Sequence, residues 1–217
     1  MWINKIKKLL DIFLPSNCLG CGKSGELICP TCLSEIILTG QYLPSFGNLK
    51  KIITVLDYDQ PLIKKAIRSF KYPPFNQNIL NYLIPFLIEF LRYSPTTIDY
   101  LKKNNFVLIP IPLTKRKLAQ RGFNQSELIA KEIATEFNLN LNTKILKKIK
   151  NTRSQTNLSP EERKNNVKNV FRIKADCPTN LVLVDDILTT GATLAEAAKS
   201  LHQAGAKEIW GIVLMRG

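Results

Sequence analysis

Residues 181–193 read LVLVDDILTTGAT, and this stretch decides the fold. Four apolar residues in a row, Leu181 to Val184, predict a buried strand of a parallel sheet. Two carboxylates, Asp185 and Asp186, stand where that strand is expected to end. A loop of Thr189, Thr190, Gly191, Ala192 and Thr193 follows, and residues 193–204 predict a helix. Open α/β sheets bind ligands beyond the carboxyl ends of their strands. A loop that opens a helix offers free N–H groups and a positive dipole end to an anion. One element therefore sets two hydroxyl acceptors beside a phosphate cradle, the combination that a ribose 5-phosphate needs. A Walker phosphate loop is excluded, because no Lys follows the Gly. An ordinary strand, turn and helix with two solvated acids is the plainer alternative.

Outward from this stretch, strands and helices alternate. Strands are predicted over 52–58, 106–110, 144–149, 169–173 and 208–215. Helices are predicted over 61–70, with Pro61 in the first turn, over 78–92, where Pro85 is expected to bend the helix, and over 124–137. The last is amphipathic, with Leu128, Ile129, Ile133 and Phe137 inward. The alternation predicts an α/β fold, a mostly parallel sheet flanked by helices.

The 217 residues suit one domain and a small appendage: residues 1–40 as helix and ribbon, and 41–217 as the α/β domain. The charge is lopsided, with 31 Lys and Arg against 17 Asp and Glu, formally +14. Residues 101–150 carry eleven of those cations and three Glu. Polyanions are therefore plausible partners: pyrophosphate, nucleotides or nucleic acid. Solvated lysine-rich faces account for part of the excess. Residues 79–91 are interrupted by Asn81, Pro85 and Glu89, short of the roughly 18 apolar residues of a membrane span. Residues 1–14 resemble a signal peptide but contain Asp11 and lack a small-residue cleavage site. Residues 3–13 predict an amphipathic helix with Ile3, Ile6, Leu10 and Phe13 on one face, packed on the protein itself or docked reversibly on a membrane.

Four of the five cysteines fall at Cys18, Cys21, Cys29 and Cys32, as two C-x-x-C pairs. Each pair grips one ion from a tight turn, and two pairs complete a tetrahedron, so the spacing predicts a structural Zn²⁺ ribbon. Disulfides are disfavoured without a secretory signal, and a redox C-x-x-C needs only one pair. Cys177 is expected to be a free thiol at a strand edge.

The strand at 106–110 runs into a loop at Thr114, Lys115, Arg116 and Lys117, followed by RGFNQ at 121–125. Were this strand a neighbour of 181–185, its cations would share the same rim. Arg121 is the best candidate for a bidentate phosphate contact, with a solvated basic loop as the alternative. A second polar loop, 150–163, carries Arg153 and Gln155. Ser159 there looks like an N-cap with Glu162 three residues on. A lid that closes over substrate has this composition.

The segment 181–193 resembles the phosphoribosyl pyrophosphate (PRPP) signature of type I phosphoribosyltransferases. The order of motifs sharpens the resemblance: the zinc cysteines, LDY at 56–58, IRSFKY at 67–72, IPIP at 109–112, RGFNQ at 121–125, NTRSQT at 151–156 and the PRPP loop. Together they resemble the ComF family, ComFC-like proteins, over nearly the whole chain. One departure is that NTRSQ lacks a further basic residue early in the lid.

The resemblance implies a cytoplasmic protein of bacterial natural competence and DNA uptake, linked to a ComFA-type helicase. It implies displacement of pyrophosphate from C1 of PRPP with Mg²⁺ bound. Asp185 and Asp186 would then meet the ribose hydroxyls, and residues Thr189 to Thr193 the 5-phosphate. Lys115, Arg116 and Arg121 would steady the pyrophosphate, with Arg153 in the lid. The acceptor is not legible. With no segment after the last strand, a hood that reads a base is expected within 51–100 or is missing; Tyr58, Phe70 and Tyr72 there could stack on a base or on single-stranded DNA. Core packing is the plainer reading of all three. His202 is expected to pack rather than catalyse. The alternative to a transferase is a competence factor that binds PRPP without catalysis, or that binds single-stranded DNA.

Overall fold

The computed structural model describes residues 17–150, 169–174 and 176–217. The expected helix over 3–13 and the expected lid with Arg153, Gln155 and Ser159 lie outside the described residues.

In chain order the elements are α1 (Pro30–Ser34), β1 (Leu38–Leu43), β2 (Lys51–Asp57), α2 (Pro61–Lys71), α3 (Leu80–Arg92), α4 (Pro95–Lys103), β3 (Val107–Pro110) and α5 (Lys115–Arg121). Then come α6 (Gln125–Phe137), β4 (Asn140–Leu141), β5 (Leu146–Lys148), β6 (Phe171–Ile173), β7 (Asn180–Leu188), α7 (Ala192–Gln203) and β8 (Glu208–Arg216). Six strands form one sheet in the order β1-β2-β8-β7-β3-β4. All its neighbours are parallel except β1, which pairs antiparallel with β2 at the edge. The predicted strands at 144–149 and 169–173 pair with each other as a separate antiparallel hairpin, β5–β6.

β7 lies between β8 and β3, and its alternate residues supply two cores. Val182 and Val184 face a layer containing Ile63, Ile67 and Phe70 of α2, Leu83 and Leu87 of α3, and Ile129 and Ile133 of α6. Leu181 and Leu183 face Leu194, Ala197 and Leu201 of α7 with Leu146 and Phe171 of the hairpin. A strand buried on both faces is written as a continuous apolar run, which is why 181–184 carries no polar alternation. Cys18, Ile28, Cys29, Cys32 and Ile36 join the first of these cores. The ribbon thus shares a core with α2 and α3, Lys65 of α2 reaches the Gly20 carbonyl, and β1 runs across residues 40–41.

Four local expectations are corrected. β7 does not end at the acidic pair but continues to Leu188, because β8 runs to Arg216 and the ladder extends to Leu188 opposite Arg216. Lys115 to Lys117 are not a loop: they open α5. The Thr114 side chain caps that helix by accepting from the Lys117 N–H, and Gly122 ends it at φ 82°. β1 and α4 were not anticipated. Phe70 is fully buried and unavailable for stacking. No described helix is long and apolar enough to cross a membrane.

Candidate active site and candidate metal centre

The C-terminal ends of β7 and β3 open into a cleft of about 1340 Å³. Residues Asp185 to Leu194 form one wall. Opposite it stand Lys117, Gln120 and Arg121 of α5, Gln125 and Ser126 of α6, and the end of α2 with Lys71 and Tyr72. The register explains the convergence. β3 pairs with β7 through Pro110 and Val184, so the loops after the two strands leave at the same edge. Asn124 then sets the start of α6: its side chain accepts from the Ser126 N–H and donates to the Ile111 carbonyl.

Asp185 and Asp186 are both buried. Asp185 Oδ1 accepts from Ser126 Oγ at 2.8 Å and from the Asp186 N–H at 2.9 Å. Burial, and then the neighbouring Asp186 charge, push Asp185 up to about 7. Asp186 goes the other way. Burial opposes its ionisation most, but the Lys71 ammonium, 2.7 Å from Oδ2, outweighs it together with donors that include Gln125 Nε2 at 3.3 Å from Oδ1. Two adjacent carboxylates thus split into one that is ionised throughout the neutral range and one that titrates within it.

The loop after β7 carries Gly191 at φ 72°, which caps α7. A Cβ there would lie 2.8 Å from the Phe46 ring, so glycine is required both by backbone angle and by space. Thr190 Oγ1 is buried and has no hydrogen-bond partner among the described residues. An orphaned buried hydroxyl beside the N-terminus of a twelve-residue helix is what an anion site looks like before its ligand arrives.

The other expected residues are placed unevenly. Lys115 and Arg116 are exposed and do not line the cleft, whereas Lys117, Gln120 and Arg121 share the helix face that does. Arg121 directs Nη1 to Gln125 Oε1 at 2.6 Å and Nη2 to the Lys71 carbonyl at 3.4 Å. Tyr58 and Tyr72 stand at the rim, Tyr72 half-exposed. His202 lies outside the cleft, with Nδ1 3.0 Å from the Ala206 carbonyl. Cys177 is a free thiol raised by burial. The motif reading counted Lys117 only among the cations after β3 and gave no role to Lys71, Gln125, Ser126 or Lys148. The last is the end of β5, a half-buried lysine in the cleft wall.

The four ribbon thiols come together, with all Sγ atoms within 4.8 Å of one another and Cys21 and Cys29 at 3.7 Å. A tetrahedral site with metal–sulfur bonds of about 2.3 Å spaces its sulfurs by about 3.8 Å, so the four could hold one metal ion as a zinc ribbon does. The Cys29 N–H, 3.3 Å from Cys18 Sγ, draws the Cys18 thiol down to about 6. Burial and then the neighbouring sulfurs push Cys32 up to about 12. A divalent cation removes that conflict by neutralising the thiolates together. A Cβ at Gly20 would come within 2.5 Å of Cys32 Sγ, so the first turn admits only glycine.

Comparison with known proteins fits this geometry. Residues 124–217, from the cap of α6 to the end of β8, match the phosphoribosyl transferase domain. The chain is 32% identical to competence protein F of Haemophilus influenzae, covering 90% of this chain and 89% of that protein. It is 30% identical to DNA utilization protein YhgH of Escherichia coli K12, over 90% and 87% of the two chains. With competence protein ComFC of Bacillus subtilis it shares 27% over 84% and 81%. The chain belongs to the ComF family of competence and DNA utilization proteins, and carries its phosphoribosyltransferase-type domain.

Proposed function

We propose that the cleft binds PRPP with Mg²⁺ and transfers its phosphoribosyl group to an acceptor, in a cytoplasmic process of DNA uptake or DNA utilization. The observation that carries this reading is the buried Thr190 Oγ1 at the start of α7, without a partner among the described residues, beside the buried pair Asp185 and Asp186. In this reading the loop from Thr189 to Thr193 holds the 5-phosphate, and the two carboxylates accept from the ribose hydroxyls. The bond from C1 to the pyrophosphate oxygen breaks, and its electron pair leaves with pyrophosphate. The acceptor forms the new bond to C1 and loses its proton. As positive charge grows on the ribose and negative charge on the leaving group, Asp186 and the cleft cations stabilise each end. Mg²⁺, when bound with the donor, neutralises part of the pyrophosphate charge. Asp185 and Asp186 are the buried cleft carboxylates that would meet it at the ribose end.

In this reading the hood within residues 51–100 brings Tyr58, Tyr72 and Phe75 to the cleft as its aromatic residues. The ribbon, 1–40, is the structural zinc unit of this reading, beside a transferase-like unit over 41–217. Four thiolates leave no open coordination position, so the ion supports α2 rather than chemistry.

Binding of ribose 5-phosphate tests the reading. Thr190→Val keeps the shape and removes the hydroxyl, and is expected to weaken ribose 5-phosphate about tenfold. Equal binding by Thr190→Val and wild type contradicts the assignment. A second reading, single-stranded DNA laid along the cleft, draws on the exposed Tyr72 beside Arg68 and Lys117. The named roles of the relatives in competence and DNA utilization also support it, as they do a ComFA-type helicase partner. DNA affinity that falls steeply with salt and competes with PRPP would favour it.

A further inference from the structure

The buried residues of α6 are Gln125, Ser126, Ile129, Ala130, Ile133 and Phe137. From Ile129 onward they form the apolar stripe of a helix that covers a sheet, at spacings of three and four. Ser126 continues that stripe one turn toward the N-terminus. There the sequence sets a hydroxyl where packing alone asks for an apolar group, and that residue is 1% exposed. A hydroxyl taken out of water costs free energy unless it finds a partner. Alanine would fill the same place and forms helix better. The reason for serine therefore lies in what it bonds.

Ser126 Oγ donates to Asp185 Oδ1 at 2.8 Å, and the Asp186 N–H donates to the same oxygen at 2.9 Å. A carboxylate oxygen carries two lone pairs. These two donors fill Oδ1 and leave Oδ2 as the oxygen with room for a ligand. One donor belongs to β7 itself and the other comes from α6. The last torsion of an aspartate is soft, so the backbone donor alone leaves the carboxylate free to turn, and the second donor fixes its plane. The hydroxyl is itself held in place. The Ser126 N–H donates to Asn124 Oδ1 at 3.2 Å, and Asn124 Nδ2 donates to the Ile111 carbonyl at 3.1 Å. Gln125, one residue earlier, reaches Asp186. Consecutive residues of α6 thus serve consecutive acids of β7.

We propose that Ser126 is a positioning residue for the ribose end of the donor: it locks the plane of Asp185 so that Oδ2 is presented to a sugar hydroxyl, and so sets the preference of the cleft for a hydroxyl-bearing sugar phosphate over one without hydroxyls. This rests on the PRPP reading of the cleft. Ser126 touches no ligand in this account and acts through Asp185 alone. Its removal therefore leaves the phosphate loop of α7 intact and loosens only the reading of the hydroxyls.

Calorimetry of the full-length, zinc-loaded chain without Mg²⁺ tests this with two ligands. One is ribose 5-phosphate. The other is tetrahydrofurfuryl phosphate, the same ring and phosphate without the ring hydroxyls. Wild type is expected to bind ribose 5-phosphate the more tightly. Ser126→Ala is expected to weaken ribose 5-phosphate about tenfold and tetrahydrofurfuryl phosphate less than about twofold. A merely structural role would not separate the two ligands. Equal weakening of both therefore overturns the proposal, as does unchanged binding of ribose 5-phosphate, and either result leaves the PRPP reading standing. Wild type that binds no ribose 5-phosphate, or binds it no better than tetrahydrofurfuryl phosphate, overturns both. Should Ser126→Ala fail to fold, Ser126→Cys, of similar size and with a weak thiol donor, carries the same expectation.

Discussion

Lys71 Nζ stands 2.7 Å from Asp186 Oδ2, and this ion pair closes a ring of four residues. The Lys71 carbonyl accepts from Arg121 Nη2, Arg121 Nη1 donates to Gln125 Oε1, and Gln125 Nε2 donates to Asp186 Oδ1. The ring joins the end of α2, the end of α5, the start of α6 and β7. Each member fixes its neighbour, so the acidic pair is oriented before any ligand binds.

Breaking the ring at Lys71 has a calculable sign. The Asp186 side chain is 4% exposed and that of Lys71 23%, so Lys71→Met leaves a buried carboxylate unpaired. We expect a loss of about 2–4 kcal/mol in urea unfolding. Adding Asp186→Asn to Lys71→Met should recover most of it. Simple addition of the two single losses would argue against a coupled pair.

Asp185 ties stability to pH. Its folded value, about 7, lies above its ordinary value of 3.8. The folded state therefore binds the extra proton between those values, and stability falls as pH rises from about 4 to 7. Asp186 contributes oppositely: its lowered value adds stability above the ordinary carboxylate range that is lost below it. Asp185→Asn can still accept from Ser126 and from the Asp186 N–H. It should be more stable than wild type at pH 8, by on the order of 2 kcal/mol, and flatten the slope between pH 4 and 7. Thermal melts across that range measure it. A slope unchanged in the variant assigns the titration elsewhere.

Gly191→Ala meets two obstacles, a positive φ and the Phe46 ring. We expect a loss of about 1–3 kcal/mol, together with weaker ribose 5-phosphate binding. Phe46→Ala in the same chain relieves only the steric part. Full recovery by Phe46→Ala would mean that backbone strain is negligible there.

The metal centre should matter beyond the ribbon. Ile28 and Ile36 share a core with Ile63 and Phe70, and Lys65 Nζ reaches the Gly20 carbonyl at 3.5 Å. Removing the metal with a chelator should release one zinc per chain, lower the melting temperature by several degrees and weaken PRPP as α2 loosens around Lys71. A chelated protein that melts as before would separate ribbon from cleft.

The parts of the site legible in sequence are those written locally. The run 181–193 encodes strand, acids and loop within thirteen residues, and RGFNQ encodes a helix end, a left-handed Gly122 and the next N-cap. Lys71 and Lys148 were not legible as site residues, because their meaning lies in partners brought by the sheet. Even Gln125 and Asp186, which meet in the cleft, are separated by 61 positions. Three consecutive cations after Thr114 read as a loop, yet a capped helix turns Lys117 inward and leaves Lys115 and Arg116 in solvent. β1 escaped notice because its exposed and half-buried residues give no clear alternation. The start of α4 is marked only by Ser94 and Pro95.

Titration calorimetry of Mg²⁺-PRPP shows whether the cleft is a working donor site. The metal-loaded wild type should bind one PRPP per chain, and Asp185→Asn/Asp186→Asn should lose about 100-fold or more in affinity while remaining folded. A folded wild type that binds no PRPP, or a double variant that binds it as well as wild type, would contradict a donor site in this cleft.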